Sequence, residues 1–213
     1  MIILGLTGSI GMGKTTAAGM LRSMGLWVCD SDAIVHNLLG PGGSAVAAIE
    51  AEFGQVVRNG AVDRPALGRA VFSDPSALKR LEAILHPMVQ NAQLAFLKNA
   101  ALNRIPSVVL DVPLLFEVGT DKRCDAVIVV TAPRFLQEQR VLRRPGMTRE
   151  RLQATLARQL PDVEKRRRAD FVVHTGLGKG YTYQRLRLFV RLIHGKHGAK
   201  WPPSSPYYWG SHA

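Results

Sequence analysis

Residues 8–15 read GSIGMGKT and follow directly on the apolar run IILGL at 2–6. The stretch satisfies G-x-x-x-x-G-K-[ST], with Gly8, Gly13, Lys14 and Thr15 at the fixed positions. Glycines admit positive φ, so successive backbone N–H groups can converge on phosphate oxygens with no Cβ in the way. A helix starting near Lys14 aims its N-terminal dipole at the same anion. Lys14 supplies a point charge to the β and γ oxygens, and the Thr15 hydroxyl is a ligand for Mg²⁺. The bland alternative is an ordinary glycine turn. A strand signal before the loop and a helix signal after it favour phosphate binding, with ATP as the nucleotide.

The rest of the chain repeats the alternation that this opening sets. Short, nearly continuous apolar runs recur at 1–7, 26–30, 107–116, 126–131 and 171–175. Such runs suit strands buried on both faces of a parallel sheet. Between them, 14–24 carries Ala17, Ala18, Leu21 and Met24 at helical spacing, closed by Gly25. The expected fold is α/β, a doubly wound five-stranded parallel sheet of the phosphate-loop NTPase type. Its core would comprise 1–40, 105–133 and 169–195.

The interval between the second and third runs is too long for one crossover helix and predicts an inserted helical lobe over about 41–104. Within it Leu78, Leu81, Ile84 and Leu85 form one stripe. His86-Pro87 is predicted to break it, with Pro87 opening a new helix. Residues 134–168 read as helical and arginine-rich, with Thr148 as an N-cap after the break at Pro145-Gly146. The stretch WPPSSPYYWGSHA at 201–213 has no helical period and reads as a flexible tail.

Charge narrows the partner. Residues 1–133 carry 11 Lys/Arg and 11 Asp/Glu, whereas 134–213 carry 17 against 5, so the whole net charge of +12 lies in the last 80 residues. A field that lopsided implies an anionic partner: polyphosphate, nucleic acid or a charged membrane surface. The run KRRR at 165–168 reads as a solvated face. No apolar run approaches the roughly 20 residues of a membrane span. A secretory signal pattern is absent, and Cys29 and Cys124 have neither metal-ligand nor disulfide-framework spacing. A reducing cytoplasm is the expected compartment.

Asp30 and Asp32 lie in VCDSDAI at the end of the second run. Read as extended chain, both project from one side at the carboxyl edge of the sheet, where ligands collect in this architecture. A carboxylate there can accept a proton from an acceptor hydroxyl or hold Mg²⁺ through water. Equally, the pair can cap a helix and form a turn.

These segments together resemble the dephospho-coenzyme A kinase family. LTGSIGMGKTT at 6–16, DSDAIVHNLL at 30–39, HP at 86–87, DVPLLFE at 111–117, QRVLRR at 139–144 and ADFVV at 169–173 occur in that family's order and at similar spacings. The resemblance implies transfer of the ATP γ-phosphoryl group to the ribose 3′-hydroxyl of dephospho-CoA, giving CoA and ADP. It further implies a helical lobe that binds the CoA end and a mobile lid over about 134–168. Asp32 matches the second aspartate of the family's D-x-D and is the expected base, with Lys14 and Arg140 as catalytic partners. ATP contacts are expected from Gly8, Gly11, Met12, Gly13, Lys14, Thr15, Thr16 and Arg144, and acceptor contacts from Asp32, His86 and Leu115. Mg²⁺ is expected on Thr15; Asp111 either supports that ion as an outer carboxylate or is simply an aspartate at a strand end.

Some positions keep two readings. His86 either meets the acceptor or caps a helix at Pro87, and Leu114 and Leu115 are packing residues near the pantetheine channel. Arg140 and Arg144, matching the lid arginines, are predicted to lie one helical turn apart and to close over the phosphates together. Two departures stand out. Pro145 replaces the usual acidic residue, so the lid helix should end there. His174-Thr175 stands where the family has an asparagine-containing turn near adenine, so no base contact is named. The rival readings are a nucleoside or nucleoside monophosphate kinase of the same fold, and a nucleic-acid-binding protein. The latter would use the basic last third with Trp201, Tyr207, Tyr208 and Trp209.

Overall fold

In the computed structural model, residues 1–72 and 74–203 are described, and they divide into two compact units. One comprises Met1–Cys29 with Ala100–Pro202, the other Asp30–Asn99. All of the predicted tail beyond 203 lies outside the described residues.

The first unit is built on the predicted strands. They are β1 (Ile2–Thr7), β2 (Trp27–Asp30), β5 (Ser107–Asp111), β6 (Ala126–Thr131) and β7 (Phe171–His174), in the order β2-β5-β1-β6-β7. β1 runs parallel to both neighbours, with Ile2 opposite Ser107 and Leu4 opposite Ala126. β7 runs parallel to β6, from Ile128 opposite Phe171 to Thr131 opposite His174. Every residue of β1 is buried, as a central strand covered on both faces requires. Ala17, Ala18 and Leu21 of α1 (Lys14–Ser23) and Leu186, Phe189 and Ile193 of α9 (Lys179–Ile193) pack on Leu4, Leu6, Ile128 and Val130. Gly25 ends the first of these helices as predicted, its N–H bonding the Arg22 carbonyl at 2.9 Å.

β5 stops at Asp111, short of the apolar run's end at 116. Val112 still donates to the Leu6 carbonyl at 3.0 Å, but Pro113 has no N–H to extend the ladder. Leu115 and Phe116 turn into the core instead. A Cβ on Gly5 would lie 2.6 Å from Leu115 Cδ1, so the residue expected to meet the acceptor is packed against the central strand.

The second unit contains α2 (Ser31–Leu39), α3 (Val46–Phe53), a hairpin of β3 (Val57–Arg58) and β4 (Ala61–Val62), α4 (Arg64–Phe72) and most of α5 (Pro75–Leu102). Leu39, Ile49, Val62, Leu67 and Leu81 centre its own core. The sequence pattern places the start of this lobe at about 41; the structure begins it at Asp30 and includes α2. The hairpin, which the apolar pattern does not announce, turns at Asn59-Gly60, both at positive φ. The predicted break at His86-Pro87 does not occur. α5 runs through Pro87 for 28 residues, and His86 is an exposed helical residue that caps nothing. Pro87 costs one backbone hydrogen bond, which leaves the long helix intact because most helical stability comes from tertiary packing.

Beyond β6 the chain forms α6 (Arg134–Leu142), α7 (Arg149–Ala157) and α8 (Asp162–Arg168). Thr148 caps α7 as predicted, its Oγ1 accepting from the Arg151 N–H at 3.3 Å. Among the described residues no helix is long and apolar enough to cross a membrane.

Candidate active site

β1 delivers the chain into the loop 8–13, and α1 begins at Lys14. The loop's glycines serve different ends. Gly13, the N-cap of α1, holds φ 90° and ψ 19°, a conformation that side chains resist. Gly8 is required by space, because a Cβ there would sit 2.5 Å from Val130 Cγ2 and 2.6 Å from the Val130 carbonyl oxygen.

The loop is fastened at almost every residue. Met12 donates its N–H to the Ser9 carbonyl at 3.1 Å, and its thioether accepts from the Ala132 N–H at 3.1 Å. Its side chain is buried, so a contact with ATP would have to come from its backbone. Gln137 of α6 donates to the Ile10 carbonyl at 2.8 Å, while Gln159 accepts from the Ile10 N–H at 3.1 Å. The Thr175 hydroxyl donates to the Met12 carbonyl at 2.7 Å. With these groups committed, the first N–H groups of α1 remain as the orphan donors of a helix start. Thr15 and Thr16 are exposed there. Lys14 Nζ pairs with Asp111 Oδ1 at 2.8 Å, with side chains 14 % and 2 % exposed. Beside the loop opens a cavity of about 720 Å³, whose lining includes Ser9, Thr131, Pro133, Gln159, Asp162 and His174.

The two lid arginines separate. Arg140 lies on α6 and is tied down, Nη1 donating to Gly11 O at 3.3 Å and Thr175 Oγ1 at 3.0 Å, and Nη2 to Thr175 O at 3.0 Å. Arg144 is exposed and lies beyond α6, which ends at Leu142 with Arg143 as its C-cap. The expectation that both share one helix face therefore fails, whereas the helix does stop ahead of Pro145, with Leu142 as its last residue. A residue before proline is disfavoured in α conformation, which ends the helix earlier. The Arg144 N–H closes a tight turn on the Val141 carbonyl at 3.0 Å.

The KRRR run also divides. Lys165 is wholly buried, with Nζ 2.9 Å from Glu117 Oε1, while Arg166–Arg168 are exposed. Leu160 N–H reaches the same carboxylate oxygen at 2.7 Å, so the DVPLLFE segment anchors the start of α8.

In the second unit the DSD triplet has three separate roles. Asp30 is the last residue of β2 and caps α2, its Oδ1 accepting from the Ala33 N–H at 3.1 Å. Ser31 is buried and accepts from Gln93 Nε2 at 3.0 Å. Asp32 lies in the first turn of α2 and is exposed. The extended geometry that would aim both aspartates alike is thus replaced by a capped helix start.

A five-stranded parallel sheet, a fastened glycine loop and a lysine at the head of the following helix define a phosphate-loop kinase. Within that class the chain belongs to the dephospho-CoA kinase family, whose model matches residues 2–177. A dephospho-CoA kinase of Paramagnetospirillum magneticum is 62 % identical over 166 residues, 78 % of either chain. That of Rhodospirillum rubrum is 56 % identical over 187 residues, covering 87 % of this chain and 89 % of its relative. A crystal structure of a Thermus thermophilus protein superimposes with a TM-score of 0.80 at 37 % identity, covering 91 % of this chain and 98 % of that one.

Proposed function

We propose that this chain, as a dephospho-CoA kinase, passes the γ-phosphoryl group of ATP to the ribose 3′-hydroxyl of dephospho-CoA. A bond forms between the acceptor oxygen and the γ-phosphorus, and the bond to the β–γ bridging oxygen breaks. ADP leaves with that electron pair, and the hydroxyl proton passes to Asp32. The observation that carries the ATP half is the fastened loop. The carbonyls of Ser9, Ile10, Gly11 and Met12 are bonded within the protein, so backbone N–H groups, those opening α1 among them, and the Lys14 ammonium are what it offers an anion. Asp111 holds Lys14 at the loop, which lowers the cost of ordering it when a phosphate arrives.

Asp32 is the exposed aspartate of the triplet and stands in the first turn of α2, whereas Asp30 serves as the cap and Ser31 bonds Gln93. Transfer through a loose transition state depends mainly on alignment and charge, so the base contributes only part of the rate. The Thr15 hydroxyl and the Asp111 carboxylate are hard oxygen donors, the class Mg²⁺ takes alongside water and substrate phosphates. Bound there, Mg²⁺ would neutralise developing charge on the phosphates.

Turnover followed by ADP release separates the readings. Asp32→Asn should lower kcat by about 10²–10⁴-fold, with KM for ATP changed by less than about threefold. Parent-like turnover would move the proton to another group. In the same assay dephospho-CoA should be phosphorylated in preference to nucleosides and nucleoside monophosphates. Turnover of nucleoside monophosphates with none on dephospho-CoA would replace the assignment.

A further inference from the structure

In the turn after β7 the structure puts Thr175 at a crossing of three elements. Its side chain is buried. Its Oγ1 lies 2.7 Å from the Met12 carbonyl, 3.3 Å from the Thr131 carbonyl and 3.0 Å from Arg140 Nη1. A hydroxyl has one proton to give, and the two carbonyls can only accept. The proton therefore goes to a carbonyl, the nearer being Met12 of the phosphate loop, and a lone pair faces the guanidinium. The Thr175 carbonyl takes the other terminal nitrogen at 3.0 Å. One residue thus grips Arg140 by side chain and backbone while bonding the loop. Space reinforces the arrangement, since a Cβ on Gly13 would meet Thr175 Oγ1 at 3.0 Å.

Arg140 has five N–H donors, and the contacts to Gly11 and Thr175 occupy both on Nη1 and one on Nη2. Among the described residues the Nε–H and the second Nη2–H have no acceptor and can serve an oxyanion. A guanidinium already fixed on several acceptors loses little freedom when a phosphate arrives. We infer that Thr175 is the positioning residue for Arg140, holding its guanidinium and the Met12 peptide in one fixed relation so that Arg140 meets the ATP phosphates from the core. The inference rests on the expectation, carried by the family resemblance, that Arg140 acts on those phosphates.

Thr175→Val keeps the shape and deletes both side-chain hydrogen bonds. It should lower kcat by about 10–100-fold while KM for dephospho-CoA shifts less than about threefold, the pattern of a lost transition-state contact. Thr175→Ser and Thr175→Ala differ by the oxygen alone and repeat the comparison should the valine fail to fold; serine should recover most of the loss and alanine none. The decisive readout is coupling. In an Arg140→Ala background, removing the hydroxyl should cost less than about threefold further, because the residue it positions is gone. An equal cost in both backgrounds overturns the inference, with the Arg140 assignment left standing. If Arg140→Ala itself turns over at the parent rate, the inference falls with that assignment. A parent enzyme making no CoA is a separate failure, that of the function itself.

Discussion

Gly8 and Gly13 are both fixed positions of one motif, yet they answer to different forces. Gly13 needs its backbone angles; Gly8 needs the absence of a methyl group against Val130. The second requirement is not a matter of phosphate at all. It is the closeness with which the loop's first residue lies on β6, and it belongs to the folding of the sheet. Gly8→Ala should therefore destabilise the protein by about 1–3 kcal/mol through overpacking, lowering the midpoint of thermal unfolding even without nucleotide. Gly19 supplies the contrast, because it sits inside α1 and a Cβ there would meet no atom within 4 Å. Gly19→Ala should raise stability by about 0.4–1 kcal/mol. Equal midpoints for the two variants would show that the loop tolerates a side chain where the geometry forbids one.

At the scale of elements the buried Lys165–Glu117 pair ties α8 to the segment after β5. The ammonium is fully enclosed, the Glu117 side chain is 17 % exposed, and the Pro113 carbonyl lies 3.4 Å from Nζ. Glu117→Gln leaves that ammonium facing an amide, which should cost about 3 kcal/mol and lower the melting midpoint by about 6–12 °C. Adding Lys165→Met to it should restore part of the loss, since no buried charge then remains. If the double variant is the less stable, packing rather than charge holds α8. The pair also shows where sequence patterns stop informing. Strands, α1, the Thr148 cap and the phosphate loop are legible because period and local capping chemistry are written within a few residues. Lys165 reads as solvated because its partner lies 48 positions away in the chain. The same limit hides Thr175, Gln137 and Gln159, whose bonds to the loop span well over one hundred residues. Pro87 and Arg144 mislead differently. Proline's local penalty suggests a break in α5, where packing outweighs it, while in α6 its restriction on the preceding residue ends the helix sooner than the arginine spacing suggests.

Over the whole molecule the positive charge is partitioned by unit. Met1–Cys29 with Ala100–Pro202 carries 22 basic and 9 acidic side chains, while Asp30–Asn99 carries 6 and 7. The entire excess belongs to the unit that bears the phosphate loop. Part of it is committed internally: Arg134, Arg166 and Arg167 pair with carboxylates on their own helices, and Arg140 is held by the loop and the β7 turn. What remains makes a field that attracts polyanions, and both substrates of the family reaction are polyanions. Such a field acts on encounter rather than on the chemical step, and salt shortens its reach from about 10 Å at 0.1 M to about 3 Å at 1 M. Raising potassium acetate from about 0.05 to about 0.5 M should therefore lower kcat/KM for ATP and for dephospho-CoA by about tenfold while kcat moves less than about twofold. A flat kcat/KM would mean that the exposed arginines serve solubility alone. A fall in kcat of the same size would place the salt-sensitive contacts in the transition state, where Lys14 and Arg140 are proposed to act.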